Sequence, residues 1–480
     1  MGTGKTTCIR SAAWVAAWDA GSQRHVYQRD TDVVFRDDTI TFVGRSYEGV
    51  VDEMIDGRGL FVMPGLVDLH AHPTTEPSYQ GIREEHGVPE MYMSGLYERS
   101  LAFRLDEDGR KAAAEVAYSE MLASGVTSVA DLSRRFDGWI DLVARSGLRG
   151  FVAPGYASAR WYLESNHEVK YRWDERAGRQ GFEEAQALMT EAEQHASGRL
   201  SGVLYPMQID TCSEELLRDS VAVARHGGRP LTIHAAQSVL EFQVMVQRHG
   251  KTPIQWAHDI GLLGPHTILG HAIFIDEHSW LHWASRKDLD LLADSGTSVA
   301  HCPTPFARYG QVLEDLGRYL RAGVNMGVGT DVSPHNLLEE MRWAAVLARI
   351  AAEDIRAVST ADVFHAATVG GARALGRDDI GRLAPGMKAD IVLVDTSDPA
   401  MRPVRDPLRS LVYTAAERAV RDVFVDGLQV VADRKVLTLD REAALGRLHE
   451  AQRRMLEAAP ACDYGGRTAD QIAPLSLPMG

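Results

Sequence analysis

The side chains that could do chemistry in this chain begin with two histidines separated by one residue. His70 and His72 lie near the end of segment 62–73, which is apolar before the histidines and typical of a buried strand. Because side chains at i and i+2 of a strand point to the same side, the two imidazoles would leave the strand together. Neutral imidazole binds zinc, iron and copper ions. The pair alone predicts half of a metal site, although a surface pair without function has the same spacing.

More polar side chains follow later strand-like runs. In chain order they are His234, His271, His301 and Asp331. In a barrel of parallel strands, the functional site forms at the carboxyl ends of the strands. These four side chains and the first two histidines are therefore expected at one mouth, where they could supply metal ligands and bases.

The elements that would position them alternate between strands and helices. Within residues 63–377, amphipathic helical runs separate apolar runs, and several helical runs end at a glycine, such as Gly125, Gly227 and Gly323. The strands are expected at 61–69, 126–132, 150–154, 202–207, 230–234, 267–274, 297–301 and 324–329. Eight strand–helix units predict a (β/α)8 TIM barrel.

The two ends of the chain have a different sequence pattern. Residues 1–62 and 378–440 carry short β-like runs separated by turn residues, and neither makes a complete sheet domain by itself. We expect them to be the two halves of one small β-sandwich, with the barrel of residues 63–377 inserted between them. Residues 441–480 are expected to form a charged helix and a tail. The predicted fold class is therefore α/β, a TIM barrel inserted in a small β-sandwich domain.

Composition excludes several classes of function. The 480 residues carry a net charge of −15, which disfavours nucleic-acid binding because that needs a basic face. No run of about 18 apolar residues and no leader pattern is found, so neither membrane insertion nor secretion is expected. The four cysteines lack Cys-x-x-Cys spacing, which fits a reducing cytoplasm. Residues 2–7, Gly-Thr-Gly-Lys-Thr-Thr, lack the earlier glycine and preceding strand of a phosphate-binding loop.

Four motifs together resemble the amidohydrolase superfamily, in the branch of triazine hydrolases and cytosine and guanine deaminases. They are Pro-Gly-Leu-Val-Asp-Leu-His-Ala-His at 64–72, Gly-Val-Thr-Ser-Val-Ala-Asp at 125–131, Gly-Thr-Asp at 329–331 and Pro-Gly-Met-Lys-Ala-Asp at 385–390. The motifs are spread over nearly the whole chain. The resemblance implies small-molecule substrates and a homo-oligomer.

The resemblance also implies roles for individual residues. The implied metal ligands are His70, His72, His234 and Asp331. His271 resembles the histidine that holds the attacking water and, with Asp331, takes its proton. Relatives with two metals carry a carboxylated lysine at the end of strand four, where this chain has Tyr205-Pro-Met-Gln208. One divalent ion is therefore expected, zinc in the first place, with Fe2+, Co2+ or Mn2+ as alternatives.

Gln237 departs from the family pattern. Three residues after the strand-five histidine, the deaminases carry a glutamate that moves a proton onto a ring nitrogen. A glutamine can hydrogen-bond there but cannot titrate. This favours substrates whose carbon is already electrophilic, with Gln237 as a catalytic and substrate-binding residue. The alternative is that Gln237 only begins a helix and another acid protonates the substrate.

Substrate contacts are expected from the loops above the barrel and from strand seven. The candidates are Tyr92, Trp161, Phe306 and His301. Aromatic loops of this kind form pockets for flat or apolar molecules, or they pack a subunit interface. His301 either binds substrate or is a buried core histidine, because the Ser-Asn that follows it in relatives is absent.

The predicted function is metal-dependent hydrolysis of a non-peptide C–N bond in a small, apolar or heterocyclic molecule. The bond is expected to be of the amide, carbamate, thiocarbamate or urea type. The first alternative is a deaminase or dechlorinase of triazine, pyrimidine or purine rings. The second is a binding or scaffold protein without catalysis.

Overall fold

A computed structural model describes residues 4–82 and 95–480. Its strands are β1 (Thr6–Ala12), β2 (Trp14–Asp19), β3 (Arg24–Gln28), β4 (Thr31–Arg36), β5 (Thr39–Gly44), β6 (Glu53–Asp56), β7 (Leu60–Pro64), β8 (Leu66–Ala71), β9 (Val126–Asp131), β10 (Arg149–Val152), β11 (Gly155–Tyr156), β12 (Ala159–Tyr162), β13 (Lys170–Trp173), β14 (Leu200–Gly202), β15 (Tyr205–Pro206), β16 (Leu231–Ala235), β17 (Thr267–His271), β18 (Ser298–His301), β19 (Asn325–Val328), β20 (Ile391–Asp395), β21 (Val420–Val425), β22 (Leu428–Ala432) and β23 (Lys435–Val436).

The α-helices are α1 (Leu96–Ala102), α2 (Glu107–Ala123), α3 (Trp139–Ser146), α4 (Glu175–Glu193), α5 (Glu214–Gly227), α6 (Val239–His249), α7 (Pro253–Asp259), α8 (Asp288–Ser295), α9 (Pro303–Arg308), α10 (Leu316–Ala322), α11 (Leu337–Ala351), α12 (Thr360–His365), α13 (Gly371–Ala374), α14 (Pro407–Ser410), α15 (Arg441–Cys462) and α16 (Ala469–Ile472). Short 3-10 turns lie at Glu76–Tyr79, Pro399–Met401 and Ala416–Ala419, and π-helical turns lie at Ala366–Gly370 and Leu411–Ala415. In the part of the chain that the structure describes, no helix combines the length and apolar character needed to cross a membrane.

Parallel strands form two four-stranded sheets in the middle of this mixed α/β fold. The strand orders are β14-β10-β9-β8 and β16-β17-β18-β19. Isolated parallel bridges connect the two sheets at both of their edges. Leu204 pairs with Leu231 and Gln208 pairs with His234 at one edge, and Ala71 pairs with Asp331 at the other. The carboxyl ends of the strands from both sheets therefore meet in one region.

The segment expected as one strand at 61–69 is two strands. It breaks at Gly65, after Pro64, so that β7 joins a sheet with the chain ends and β8 joins the parallel strands. The backbone at Gly65 runs close to β9, and a Cβ there would lie 2.1 Å from Thr127 Oγ1. Glycine is required at this point because any larger residue would push the two strands apart.

Strands from the two ends of the chain share one seven-stranded sheet, in the order β23-β22-β21-β20-β7-β2-β3. The two ends meet where β7 pairs antiparallel with β20, and Val62 lies opposite Leu393 in that pair. A four-stranded sheet, β5-β4-β1-β6, lies alongside. Buried side chains of both sheets, such as Ile9, Phe35 and Ile391, form one apolar cluster. Burial of apolar surface holds the two sheets together.

The helices begin and end where side chains can satisfy their unpaired backbone groups. In α5 the N-cap is Ser213, whose hydroxyl accepts a hydrogen bond from the Leu216 N–H. The helix ends at Gly228, one residue past the expected Gly227, in the left-handed conformation with φ 61°. The expected stop at Gly323 is confirmed, since this glycine caps α10 with φ 90°.

Candidate metal centre

All five predicted ligands and bases meet at the carboxyl ends of the parallel strands. His70 Nε2 and His72 Nε2 lie 3.1 Å and 3.3 Å from His234 Nε2. Asp331 Oδ1 lies 3.2 Å from His72 Nε2 and 3.5 Å from His70 Nε2. His271 Nε2 lies 3.7 Å from Asp331 Oδ2. Four different strands therefore supply one compact group of imidazoles and a carboxylate.

The chemistry of this group fits a divalent metal ion. Single ligand atoms of His70, His234, His271 and Asp331 all lie within 4.8 Å of one another. The outer nitrogens of two histidines are hydrogen-bonded to backbone carbonyls. His72 Nδ1 lies 3.1 Å from the Leu132 oxygen, and His234 Nδ1 lies 2.8 Å from the Met207 oxygen. These bonds place the proton on Nδ1 and leave the lone pair of Nε2 directed into the group, as in metal-binding histidines.

Burial and mutual contact set the charges in the group. Burial lowers the pKa of His234 well below its usual value, and the neighbouring His70 and His72 lower it further. Burial also lowers the pKa of His271, to about 3. For Asp331, burial would raise the pKa, but the contacts with His70, His72 and His271 bring it well below its usual value. Neutral imidazoles beside an ionised carboxylate are the forms that bind a cation.

Tight turns orient the ligands at the strand ends. Ala236, Ala272 and Asp331 have φ of 55°, 50° and 59°, in the left-handed region that non-glycine residues rarely adopt. The first two follow His234 and His271 closely in sequence. Such strain is maintained only where surrounding contacts determine the backbone, and it concentrates at functional sites.

Two buried acids hold the ligand-bearing segments, and the sequence analysis missed both. Asp68 accepts hydrogen bonds from the His70 N–H at 3.2 Å and from the Thr330 N–H and hydroxyl at 3.0 and 2.7 Å. It thereby joins β8 to the segment before Asp331. Glu241 accepts from the Ala236 N–H at 2.6 Å, in the turn after His234. The only available sequence signal was an acid close to each ligand segment.

Gln237 lies in a buried contact with a second glutamine. It stands one residue before Ser238, the N-cap of α6, and is therefore outside the helix. Its side-chain Nε2 donates to Gln208 Oε1 at 2.5 Å. The sequence analysis did not single out Gln208, because no local pattern marks a residue whose partner lies on another strand.

The residues expected to contact the substrate have different surroundings in the structure. Phe306 packs edge-to-face on His271, with ring centroids 4.6 Å apart. His301 ends β18 and is buried, which lowers its pKa to about 4. The indole of Trp161 donates to Asp210 at 3.0 Å, so its polar atom is engaged by the protein. Tyr92 lies outside the described residues.

Comparison with known proteins shows the family of this chain. The model of the amidohydrolase family matches residues 61–430. The chain belongs to the amidohydrolase family. It is 30% identical over 435 residues to a 5-methylthioadenosine/S-adenosylhomocysteine deaminase of Natronomonas pharaonis, covering 89% of this chain and 94% of the relative. It is also 30% identical over 425 residues to a 5'-deoxyadenosine deaminase of Methanosarcina mazei, covering 88% and 92% of the two chains.

Two solved structures share the fold of this chain. An adenosine deaminase from Xanthomonas campestris with bound zinc superposes with a TM-score of 0.79 at 23% identity, over 94% of this chain and 98% of that one. An atrazine chlorohydrolase from Arthrobacter aurescens TC1 complexed with zinc gives 0.78 at 24% identity, over 93% and 100%.

Membership of the family settles the class of reaction. As an amidohydrolase, the chain is a metal-dependent hydrolase that acts on carbon–nitrogen bonds other than peptide bonds, and its substrates are small molecules. The expected family and enzyme class are confirmed. The expectation of a divalent metal is supported by the group of histidines and Asp331.

Proposed function

We propose that this amidohydrolase uses a water molecule to cleave a C–N bond at an electrophilic carbon of a small, flat or heterocyclic molecule. The observation that carries the proposal is the convergence of His70, His72, His234, His271 and Asp331 at one mouth. Three imidazole Nε2 atoms, those of His70, His72 and His271, lie 3.2 to 3.7 Å from the Asp331 carboxylate, which is a donor set that suits a divalent ion.

In this proposal, the ligands of a single divalent ion are His70, His72, His234 and Asp331. One ion, zinc in the first place, fits better than two. The family resemblance implies a carboxylated lysine for a second ion at the end of the fourth expected barrel strand, and β15 carries Tyr205 and Pro206 there. The ion, when bound, supplies a Lewis acid and lowers the pKa of water that it binds. His271, which is neutral before the reaction, would orient the attacking water. His271 and Asp331 would take a proton from that water and then give it to the leaving nitrogen.

Gln237 favours one class of substrate. Its amide cannot supply a proton, so the attacked carbon must already be electrophilic. Amides, carbamates, thiocarbamates and ureas meet this condition. Phe306, beside His271, provides an apolar wall for such a molecule.

The names of the relatives favour a second class of substrate. The two relatives described above are named as deaminases of adenosine derivatives, and one structural neighbour is named as an atrazine chlorohydrolase. Loss of an amino or chloro group from a triazine, pyrimidine or purine ring is therefore the alternative reaction. It needs an acid other than Gln237.

The finer architecture is also part of the proposal. The two parallel sheets would form one closed (β/α)8 barrel of residues 63–377, inserted in a small β-sandwich of residues 1–62 and 378–440. Residues 441–480 would form a separate C-terminal helix and tail.

We also propose that the enzyme lies in the cytoplasm as a homo-oligomer, without nucleic-acid or membrane partners. His301 and Trp161 would lie near the substrate.

Mass spectrometry of products tests the proposal. Purified zinc-loaded protein would be incubated with amides, carbamates, thiocarbamates and ureas, and separately with amino- and chloro-substituted triazines, pyrimidines and purines. We expect cleavage in the first set. Loss of an exocyclic group in the second set alone would replace the first class by the alternative.

A variant pair shows whether the metal centre does the chemistry. His70→Ala should lose the ion, measured by atomic emission, and abolish hydrolysis, whereas the exposed His226→Ala should keep both. Turnover that survives in His70→Ala would rule out this site, and binding without turnover in the unmodified protein would favour a scaffold protein.

A further inference from the structure

The C-terminal helix α15 contacts the turn that follows the first two proposed metal ligands. The side-chain Nε2 of Gln452 donates one hydrogen bond to the Ser78 carbonyl at 2.7 Å and a second to the Gln80 carbonyl at 2.9 Å. An amide nitrogen has two hydrogens, and turning the amide over would place its oxygen against two carbonyl oxygens. The two acceptors therefore fix the orientation of the Gln452 side chain.

The carbonyls that Gln452 binds lie at the end of the 3-10 turn Glu76–Tyr79, which is capped by Gln80. Carbonyl groups in the last turn of a helix have no partner inside that helix. Ser78 is only 1% exposed, and a buried carbonyl without a donor costs free energy. Gln452 supplies donors to this end of the turn from a helix 374 residues further along the chain.

His72 depends on the same turn for the position of its backbone. Strand β8 ends at Ala71, so His72 is the first residue beyond the strand. Its carbonyl accepts hydrogen bonds from the N–H groups of Thr75 and Glu76, both at 3.2 Å. The turn therefore holds the backbone of a proposed ligand that lies just outside the paired strand.

Gln80 continues the path to the segment after Asp331. Its side-chain Nε2 donates to Ser333 Oγ at 2.8 Å, and Ser333 stands two residues after Asp331. The Ser333 hydroxyl donates in turn to Glu120 Oε2 at 3.4 Å. One path of hydrogen bonds thus connects Gln452 to the segments that carry two of the proposed ligands.

The helix that carries Gln452 is firmly packed against the turn. Met455 and Ala459 of α15 lie in one buried apolar cluster with Ile82 and Phe103. Burial of these side chains removes apolar surface from water and fixes the helix in place. A donor on a fixed helix can hold a carbonyl at one position, because the helix does not follow the turn when the turn moves.

We infer that Gln452 and Gln80 are positioning residues of the metal centre. They keep His72 and Asp331 in place for the ion, although neither glutamine is a ligand. The inference rests on the proposed function, because it takes these two side chains as ligands of one divalent ion. It gives residues 441–462, which are distant in sequence from every proposed ligand, control over how tightly the ion is held.

Zinc affinity tests the inference without turnover. Competition with a chromophoric chelator gives the dissociation constant of Zn2+ for the wild-type protein and for Gln452→Met. Methionine keeps the length of the side chain but removes both N–H donors. We expect Gln452→Met to bind Zn2+ about tenfold more weakly, at the lower end for residues behind metal ligands because Gln452 acts through the turn. Arg453→Met, on the exposed side of the same helix, should bind Zn2+ like the wild type.

A rescue variant separates positioning from folding. Gln452→Lys restores a donor on a side chain of similar length and should recover most of the zinc affinity. The visible absorption bands of the Co2+-loaded protein report the geometry of the ligands. These bands should change in Gln452→Met and return toward the wild-type bands in Gln452→Lys, which a loss of stability alone would not produce.

A second variant tests the path through Gln80. Gln80→Met removes the donor to Ser333 from an exposed side chain and should also weaken zinc binding. In the double variant with Gln452→Met, the two losses of binding free energy should be less than additive, because both variants interrupt one path. If Gln452→Met does not fold, as judged by circular dichroism, Gln80→Met decides by the same measurements.

Unchanged zinc affinity in Gln452→Met would overturn the inference, as would fully additive losses in the double variant or a loss that Gln452→Lys does not recover. Absence of zinc binding in the wild type would overturn it together with the metal site. The product panel is a separate measurement. Weaker zinc binding in the variants without hydrolysis in any panel would support the positioning role and reject the proposed reaction, and hydrolysis with unchanged zinc affinity would do the reverse.

Discussion

At the scale of single residues, the site depends on which atoms carry protons. The carbonyls of Leu132 and Met207 hold a proton on the outer nitrogens of His72 and His234, so the inner nitrogen of each carries a lone pair directed into the group. Burial opposes charge on every imidazole here, and the histidines in turn stabilise the charge of Asp331. Burial would lower the pKa of His72 as well, but the Asp331 carboxylate raises it above its usual value. The other three imidazoles stay neutral beside one ionised carboxylate.

Gln237→Glu should change the range of substrates. A carboxyl group at this position can titrate and give a proton to a ring nitrogen, which the amide cannot do. We expect at least about tenfold higher kcat/KM for loss of ammonia from aminotriazines and aminopyrimidines, measured by ammonia release. The exposed Gln180→Glu serves as control. An unchanged rate on every ring substrate would show that ring protonation does not limit this site.

Glu340→Gln should flatten the dependence of stability on pH. Burial raises the pKa of Glu340, which accepts from the Thr304 N–H at 3.1 Å, to about 8. Because this folded-state pKa exceeds the unfolded value of about 4.3, the protonated Glu340 stabilises the folded state. This contribution to the free energy of unfolding is fully present below about pH 4 and is lost as the pH rises toward 8. Wild-type protein should lose on the order of 3 kcal/mol from this group between pH 5 and 8.5.

Urea unfolding at both pH values measures the effect of Glu340→Gln. The variant should keep its stability at pH 8.5 better than the wild type, whereas the exposed Glu450→Gln should follow the wild type. If the free energy of unfolding changed with pH by the same amount in the wild type and in Glu340→Gln, Glu340 would not take up this proton in the folded state.

At the scale of elements, buried ion pairs attach the parallel strands to the sheet of the chain ends. Arg149 of β10 donates to both oxygens of Asp390, just before β20, at 3.0 and 3.1 Å. It also donates to Asp426, which follows β21, at 2.9 Å. Its side chain is only 2% exposed. The closing motif at 385–390, one of the motifs that carried the family resemblance, thus ends in the partner of an arginine on a parallel strand.

Arg149→Met should destabilise the protein strongly. Removing one member of a buried ion pair leaves the other charge buried and uncompensated, which costs about 3–5 kcal/mol. Urea unfolding would measure it against Arg145→Met, whose arginine is 57% exposed in its pair with Glu115 and should cost less than about 1 kcal/mol. Equal stability of the two variants would show that the Asp390 contact contributes nothing to the attachment of the sheets.

A second contact at this scale fixes the antiparallel hairpin of β12 and β13. Asp210 accepts from the Trp161 indole of β12 at 3.0 Å and from the Tyr171 hydroxyl of β13 at 2.6 Å. The ring of Trp161 packs edge-to-face on Tyr97, with centroids 4.7 Å apart. Trp161 therefore acts in the structure as an anchor of the hairpin, and its place at the substrate stays a prediction.

At the scale of the whole molecule, the metal centre joins strands that are far apart in sequence. Its residues come from β8, β16, β17 and the end of β19, in two different sheets. An ion that binds only the folded state stabilises it by mass action. Loss of the ion should therefore affect both the reaction and the cohesion of the two sheets.

Removal of the metal should lower the melting temperature and abolish turnover. At an ion concentration of about one hundred times the dissociation constant, binding contributes about 2.7 kcal/mol. For a chain of this length we expect Tm to fall by a few degrees after dialysis against a chelator, measured by calorimetry, and to recover when zinc is added. In His70→Ala the chelator should have no such effect. Full activity after verified metal removal would contradict the proposed reaction.

The sequence by itself determined which residues stand at the strand ends. Hydrophobic runs of strand length place His70, His234, His271 and Asp331 after buried segments, and parallel strands bring such ends together. The family followed from motifs in the same segments and is confirmed. These features are local, because each depends on a few neighbouring residues and on the alternation of strands and helices.

Only the tertiary structure decided which side chains pair across the molecule. The contact of Gln237 with Gln208, the anchoring of Trp161 by Asp210 and the break at Gly65 against Thr127 all join segments distant in sequence. Each depends on the register between strands, and a shift of one residue would turn every side chain to the other face. No local pattern encodes that register, since it is set by packing of the whole core.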